Sequence, residues 1–572
     1  MLYEKPLLVA VNSRYTHSNP AVYCLKSYVR QKGFQLDFAE FNINGQPLDI
    51  LAEIVKREPD LVGFSCYIWN IRIVTVISKM LKKVLPQCKI LWGGPQMNGL
   101  AEKWLEKYEE IDYIIEGEGE KAWVALLQAE NTADLRRIPN FRYRQIDPLT
   151  GEQKIVFVDK VDFVNLSELP FYYSDDDLKS LRNRIIYYES SRGCPFGCKF
   201  CLSAREPVRY RDLEKVKADL EELSQSGCKK IKFVDRTFNS NQKRAVEILK
   251  YLLSIYHKDI CFHLELEPLC LSEDLVDILL SAPAGYFQAE IGVQSLYEPA
   301  LDGIGRRKLA DNAVDLIRRL IEAENIHIHL DLIAGLPYET LAEFKNSFDG
   351  LYDIEPHYLQ LGFLKILPGT PLAEQAADYG LVFVDEPPYQ VLRTPWLSYA
   401  DMQELSAVEY AVDNYYNEAF FEKTLKLGMK KWCNEGGRPF DFFCLLGKTD
   451  KHIDGGKSQT QKGKILFDFL SDYFPEQILL WQNVLRLDFI CSNLNPPEFL
   501  GVFDEMTAIK ADEALFMENL PPLSELPRRR WLKRFRVFQL VVDVDNMSAG
   551  LYVADGGVKQ GIWQRPQIIK IK

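Results

Sequence analysis

Short apolar runs alternate with amphipathic segments over residues 1 to about 130. The run "PLLVAVN" predicts a buried strand, and "PAVYCLKSYVRQKG" predicts a helix that stops at Gly33. Four more strands are expected at "FQLDFAEF", "DLVGFSC", "CKILWGG" and "DYIIEGE", with helical spacing such as "VTVISKMLKKVL" between them. This alternation predicts an α/β domain built on a doubly wound, open parallel sheet with helices on both faces. Ligands of such sheets lie beyond the carboxyl ends of the strands. Those ends carry the unusual loops here: "NSRYTHSNP", "SCYIWN", "GGPQ" and "EGEGE". Ordinary turn chemistry also favours Gly, Asn, Pro and Ser, but four such loops at neighbouring strand ends suggest one shared ligand.

Residues 136–183 are less regular, with a hairpin expected around "DPLTG" and an extended linker at "LSELPFYY". A second strand–helix series then occupies 184–375, with strands at "RIIYYESS", "KKIKFVD", "CFHLELEP", "YFQAEIGVQS", "HIHLDLIAG" and "YLQLGFLKILPG". Six successive units predict a curved parallel sheet or partial (β/α)6 barrel, whose chemistry would sit at the strand carboxyl ends. Residues 376–572 are expected to be a mixed α+β region. Aromatic-rich helical patterns lead there into a polar stretch, "GKTDKHIDGGKSQTQKGK", read as a mobile loop, and two strand-like segments finish the chain. The boundaries drawn are thus 1–135, 136–183, 184–375 and 376–572.

Composition narrows the class. With 572 residues, 47% hydrophobic and 26% charged, the chain reads as multidomain and globular, not disordered or fibrous. A net charge of −12 disfavours non-specific nucleic-acid binding. The start lacks the marks of a signal peptide, and no apolar run is long enough to span a bilayer, so no membrane association is expected. The twelve cysteines are mostly scattered singly, which suits a reducing cytoplasm.

Three cysteines break that scatter. In "ESSRGCPFGCKFC" they are spaced C-x3-C-x2-C directly after a strand. A structural zinc site normally closes with four protein ligands, and the next cysteine, Cys228, stands alone. A four-iron, four-sulfur cluster held by three thiolates leaves one iron free to bind a small molecule, which accounts for three ligands in place of four.

This spacing, with Phe200 before the last cysteine on the first loop of a six-unit series, resembles the radical S-adenosylmethionine (SAM) superfamily. "HLELEP", "EIGVQS", "IGRR" and "DLIAGLPYET" resemble its third-, fourth- and fifth-strand motifs. The resemblance implies that Cys194, Cys198 and Cys201 ligate a [4Fe-4S] cluster. It places Phe200, Asp235, Glu265, Gln294, Arg306, Asp331 and Gly335 around SAM, with Arg306 pairing the carboxylate and Gly335 admitting the adenine. The second-strand "FVDRTFN" replaces the superfamily's usual Gly-Gly-Glu, which leaves open whether Asp235 or nearby backbone receives the SAM amino group.

Ahead of such a core, residues 1 to about 130 resemble the flavodoxin-like cobalamin-binding domain of the cobalamin-dependent radical SAM class. Cobalamin contacts are then implied at Tyr15, His17, Asn19, Ser65, Tyr67, Trp69, Asn70, Gly93, Gly94, Pro95, Glu116 and Gly117. The D-x-H-x-x-G signature is absent. His17 is therefore read as a hydrogen-bonding residue in preference to a cobalt ligand, and Trp69 or Tyr67 as the side chain near the lower cobalt face. The resemblance implies reductive SAM cleavage to a 5'-deoxyadenosyl radical, fed by an electron donor such as flavodoxin or ferredoxin, and methyl transfer from methylcobalamin to an unactivated carbon. Oxidation or cyclisation without methyl transfer is the alternative, and a non-enzymatic sensor is the second. Substrate recognition falls to 376–572, which resembles a domain of unknown function. Its "PRRRWLKRFR" run is read as a solvated basic strand edge in preference to a nucleic-acid grip.

Overall fold

The computed structural model describes residues 2–146, 153–158, 161–450, 456–492, 494–500, 535–540, 550–560 and 565–570. The first sheet contains β1 (Pro6–Asn12), β2 (Asp37–Asn42), β3 (Leu61–Ser65), β4 (Lys89–Gly93), β5 (Tyr113–Ile115), β6 (Phe141–Ile146) and β7 (Gln153–Val158), in the order β2-β1-β3-β4-β5-β6-β7. The first five strands are parallel. Every residue of β1 is buried, as expected of a central strand covered on both faces. At Gly63 of β3 an added Cβ would lie 2.3 Å from the Trp123 ring, so glycine is what lets that indole pack directly on the sheet. The β6–β7 hairpin pairs antiparallel to β5 and extends this sheet. The "LSELPFYY" linker runs against the next domain, where the hydroxyls of Tyr172 and Tyr173 both donate to the Tyr187 carbonyl.

The second sheet starts with β8 (Ile185–Tyr188). The chain then breaks, and β9 (Ser191–Cys194) and β10 (Glu206–Tyr210) form a separate antiparallel pair, where the sequence had predicted one uninterrupted strand through Ser191. The series resumes with β11 (Lys230–Phe233), β12 (Cys261–Leu266), β13 (Phe287–Gln294), β14 (His327–Ala334) and β15 (Tyr358–Phe363). Strands β8 and β11–β15 are parallel neighbours in sequence order, an open six-stranded barrel wall.

An open wall has two exposed edges, and each is blocked by a neighbouring domain. At β8 the loop after β1 lies alongside. Ile185 N–H donates to the Thr16 carbonyl at 2.7 Å, the Ser18 hydroxyl donates to the Ile185 carbonyl, and His17 forms a parallel bridge with Ile185. At β15 the Asn417 amide takes the place of a strand: it accepts from Leu359 N–H and donates to Leu359 O, both at 2.9 Å.

Asn417 belongs to the C-terminal helical region, in which helices Tyr399–Ala411 and Pro439–Asp450 cross closely. An added Cβ at Gly447 would sit 1.9 Å from the Ala407 carbonyl, so only glycine permits the crossing. The polar stretch read as a mobile loop is largely helical. Its first residues finish the helix Pro439–Asp450 and its last begin the helix Gln459–Tyr473, with residues 451–455 outside the described set. Strands β16 (Val382–Phe383) and β17 (Val391–Arg393) pair with each other, and β18 (Phe535–Leu540), β19 (Gly550–Gln560) and β20 (Arg565–Lys570) form an antiparallel sheet. Residues 527–534 of the basic run lie outside the described residues. Among the described residues no helix is long and apolar enough to cross a membrane.

The helix Glu422–Asn434 starts after Phe421, which has no side-chain acceptor for the first N–H groups. Asp488, fully buried on the helix Ile478–Cys491, supplies it, accepting from Lys423 N–H, Thr424 N–H and the Thr424 hydroxyl. Burial pushes this carboxyl up to about 7 against the pull of those donors. The folded chain therefore holds a proton that the unfolded chain releases near pH ~4, and stability falls as pH rises from about 4 through about 7. In urea titrations across that range, Asp488→Asn should flatten the decline, and an unchanged slope would rule the assignment out. Asp488→Ala should cost about 1–3 kcal/mol near pH ~4 and progressively less as pH rises towards about 7.

Candidate functional site

The three cysteines lie on the loop that leaves β9 at the mouth of the barrel. Gly193 turns the chain there with φ +99°, and an added Cβ would meet the Pro207 carbonyl at 2.4 Å. All three are free thiols: Cys194 and Cys198 are buried and Cys201 is half-buried. Lys199 N–H donates to the Ile304 carbonyl and Lys199 O accepts from Leu372 N–H, so barrel loops hold both sides of the cysteine loop. Gly305, with φ +73°, packs so tightly that an added Cβ would lie 2.7 Å from the Gly197 carbonyl. Cys194 Sγ is 3.6 Å from the Thr237 hydroxyl, and Arg306 Nη1 donates to Cys198 Sγ at 3.4 Å. Burial pushes the Cys198 thiol up, although the Arg306 guanidinium pulls the other way.

Arg306 is the hub of the mouth. Besides Cys198 it donates to both Glu267 oxygens, at 3.2 and 2.9 Å, and to the Gly292 carbonyl at 2.8 Å. Sequence reasoning chose Glu265 from the "HLELEP" motif and missed Glu267. The backbone of Glu267 is clamped by the Asn239 amide, and its carboxylate reaches the cysteine loop through Arg306. Glu265 lies one strand-period deeper and pairs with Lys232 at 3.1 Å. Gln294 closes a β-bulge with φ +72°, and its amide folds over Gly292, where an added Cβ would be 2.3 Å away. Asp331 has a buried Oδ1 without a partner among the described residues, and burial with Glu290 and Glu265 nearby pushes its carboxyl far up. Gly335 turns with φ +92°, and Phe200 packs against the core.

Asp235 does not face the mouth. It is fully buried and accepts from Ser190 N–H at 2.7 Å and from the Ser190 and Ser191 hydroxyls at 2.6 Å. Its oxygens are committed to holding the break between β8 and β9, so in this structure it positions the cysteine loop and is not aimed at a ligand. Burial raises it to about 6 against those bonds.

The loops at the carboxyl ends of the first sheet face the mouth. Trp69 is exposed and stacks on Tyr67 at 4.3 Å and 14°; Tyr15 is 70% exposed. A cavity of about 300 Å³ beside Tyr15 is lined by Asn42, Gln46, Asp49 and Arg184. Gly94, with φ +105°, comes so near the third-strand loop that an added Cβ would meet the Cys66 carbonyl at 2.7 Å, while one at Gly93 would make only ordinary contact, 3.8 Å from the Ile115 carbonyl, and Pro95 starts a 3-10 turn. Other predicted contacts are engaged within the protein. Asn19 caps the helix Pro20–Gln31 and donates to the Ser65 hydroxyl, and buried Asn70 donates to the Val11 and Ser65 carbonyls. His17 Nδ1 is 2.5 Å from the Tyr187 hydroxyl on β8. Glu116 pairs with Arg142 at 3.0 Å, and Gly117 N–H donates to the Asn98 side chain.

The rest of the "EGEGE" loop reaches the cysteine loop itself. Arg192, two residues before Cys194, pairs with Glu118 at 3.2 Å, Glu120 at 2.8 Å and Glu189 at 2.8 Å, and Arg209 also bonds Glu118. Burial opposes ionisation of Glu120, but Arg192 holds it below the usual carboxylate range. The sequence carried no periodic signal for the pairing of these two arginines with Glu118 and Glu120, which lie more than 70 residues away.

Comparison with known proteins accords with this geometry. Residues 6–127 match a B12 binding domain, 188–351 the radical SAM superfamily, and 377–553 a protein domain of unknown function, DUF4080. The cobalamin-dependent radical SAM methyltransferase TokK of Streptomyces tokunonensis is 25% identical over 60% of this chain and 53% of its own length. A 2-(S-pantetheinyl)-carbapenam-3-carboxylate methyltransferase of Streptantibioticus cattleyicolor is 23% identical over 67% of this chain and 57% of its own. The chain thus spans little more than half the length of these relatives. The structure of OxsB, a cobalamin-dependent S-adenosylmethionine radical enzyme, shares the fold with a TM-score of 0.59 and 17% identity, covering 93% of this chain and 83% of that one. With a B12 binding domain, a radical SAM domain and a C-terminal domain of unknown function in that order, the chain belongs to the cobalamin-binding radical SAM family.

Proposed function

We propose that this chain is a cobalamin-dependent radical SAM methyltransferase acting on an unactivated carbon. The observation that carries the reading is the cysteine loop at the barrel mouth, held by Arg192 against the strand-end loops of the B12 binding domain. The residues present fit the groups this requires. Three free thiols within eight residues, with Arg306 donating to one sulfur, suit a cluster that takes three protein ligands. The exposed Trp69–Tyr67 stack and the close glycine approach at Gly94 suit a broad, flat, largely apolar ring. When bound, these groups supply a carbon-centred radical from SAM and a transferable methyl group.

The chain's own residues then do the positioning. Cys194, Cys198 and Cys201 would hold the cluster. The Arg306–Glu267 pair orients Cys198 and fixes a guanidinium beside it, a cation that would suit the carboxylate of SAM. Gln294, aimed by its bulge, and Asp331, with its free buried oxygen, line the way inward from that guanidinium. His17 is engaged by Tyr187, so Trp69 or Tyr67 would stand by the corrin in its place. An electron donor of the flavodoxin or ferredoxin kind completes the reaction.

Anaerobic reconstitution with iron, sulfide and hydroxocobalamin should yield about four irons per chain and a corrin absorption spectrum, and reduction with SAM should release 5'-deoxyadenosine. Zinc in place of iron, or colourless protein, would end this reading. Radical formation with no methyl group transferred to any product would leave the cofactors in place and exclude the methyltransferase.

A further inference from the structure

Parallel strands covered on both faces read as continuous apolar runs, and barrel interiors of this kind are packed with branched apolar side chains. The wall here departs from both. Ile231, Phe262, Leu264, Phe287, Ala289, Ile328 and Leu330 are buried in the core beneath the helices. The alternate residues of the same strands face the other way and are polar. Lys232, Glu265 and Glu290 keep 22%, 29% and 25% of their side-chain exposure although they point across the concave face. The concave face thus carries partly exposed charged groups, not a packed apolar core.

Its charges are unevenly matched. In the middle layer Lys232 bonds both Glu265 and Glu290 at 3.1 Å, and His263 adds a third contact to Glu290. Burial would raise Glu290, but the His263 hydrogen bond and the Lys232 charge outweigh it and hold the carboxyl down to about 2. One layer deeper, at the amino ends of the strands, Lys230 has a single hydrogen-bond partner among the described residues, the neutral Gln288 amide at 2.6 Å. Gln288 also contacts His329 Nε2, which lies 2.8 Å from His327 Nδ1. Burial drives His327 to about 3 and His329 to about 2, so both rings are uncharged at neutral pH. Burial works against the charge on Lys230, and the carboxylate that acts on it, Glu290, is already held by Lys232 and His263, so the cation is costly unless a further anion joins it.

We infer that the barrel floor is an oxyanion subsite, in which Lys230 flanked by His327 and His329 receives the carboxylate or phosphate of a polar substrate. Such a group at the floor leaves the rest of the molecule extended along the lumen towards the cysteine loop. The inference rests on the reading above only for which end reacts; anion binding itself requires neither cluster nor SAM, so the two can fail separately.

The test uses the full purified chain, titrated calorimetrically with inorganic phosphate and, in a separate arm, with acetate. One anion should bind per chain, Lys230→Met should weaken it about tenfold or more, and Lys230→Arg should keep it. The arm that saturates first tells a phosphate from a carboxylate substrate. Equal titration of the wild-type chain and Lys230→Met, or no saturable binding to the wild type, overturns the subsite. Should Lys230→Met not fold, crystals of the wild type soaked in selenate decide. Anomalous selenium within hydrogen-bond distance of the Lys230 amine upholds the subsite, and selenium found only elsewhere refutes it.

Discussion

Cys198→Ala should abolish release of 5'-deoxyadenosine while the corrin stays bound. Cys198 is the middle thiol of the loop and the one whose sulfur receives the Arg306 guanidinium. With alanine there, two thiols remain, and a cluster that already lacks a fourth protein ligand loses a third of its protein support. One face of the B12 binding domain has a core of its own around Val9, Val62, Phe64 and Ile90, while the other face joins the barrel core, so corrin retention should survive a change confined to one thiol. The measurement is product analysis after anaerobic reduction with SAM, beside the visible spectrum of the same sample. Continued 5'-deoxyadenosine formation would show that the cysteine assignment is wrong. Loss of both activity and corrin would instead mean that the loop supports the first domain.

Arg192→Ala should be the most damaging substitution outside the cysteines. Its guanidinium faces Glu118, Glu120 and Glu189, whose side chains are between 6% and 19% exposed. Removing it leaves Glu120 and Glu189 without this cation and Glu118 held by Arg209 alone in a poorly hydrated seam, a loss of about 3–5 kcal/mol by analogy with other broken buried pairs. Two of the three carboxylates belong to the fifth-strand loop of the first domain, so the loop should part from the cysteine loop. Denaturant unfolding should show the lost stability, and the corrin should be retained less well. Glu120→Gln in the Arg192→Ala background should recover part of both losses, because it removes one uncompensated charge. Arg192→Lys should recover less than its charge suggests, since an ammonium cannot fork across three carboxylates. Wild-type stability and corrin retention in Arg192→Ala would refute the latch.

How far each feature was legible depended on the distance over which its determinants act. The alternation of strands and helices, the run of six units and the cysteine spacing are local patterns, so the two parallel sheets and the thiol loop could be read directly from the chain. The "EGEGE" loop was singled out as unusual, but what its acids do is to meet Arg192 and Arg209, a juxtaposition created by folding. Glu265 and Glu267 belong to one motif, and only the twist of β12 and the Asn239 clamp decide that Glu267 meets Arg306. Asp235 reads as a motif residue at a strand end, yet burial and two serines turn it into a brace.

The order of amino acids by itself determined the element types, their sequence and the donor set of the cysteine loop, because each follows from periodicity or from side-chain chemistry a few residues apart. The tertiary structure alone decided which edges are sealed, which charges are matched and which face of the barrel wall carries them. Those are properties of groups brought within a few ångströms from dozens or hundreds of residues away, and Coulomb and hydrogen-bond energies depend on that separation in space, not on position along the chain.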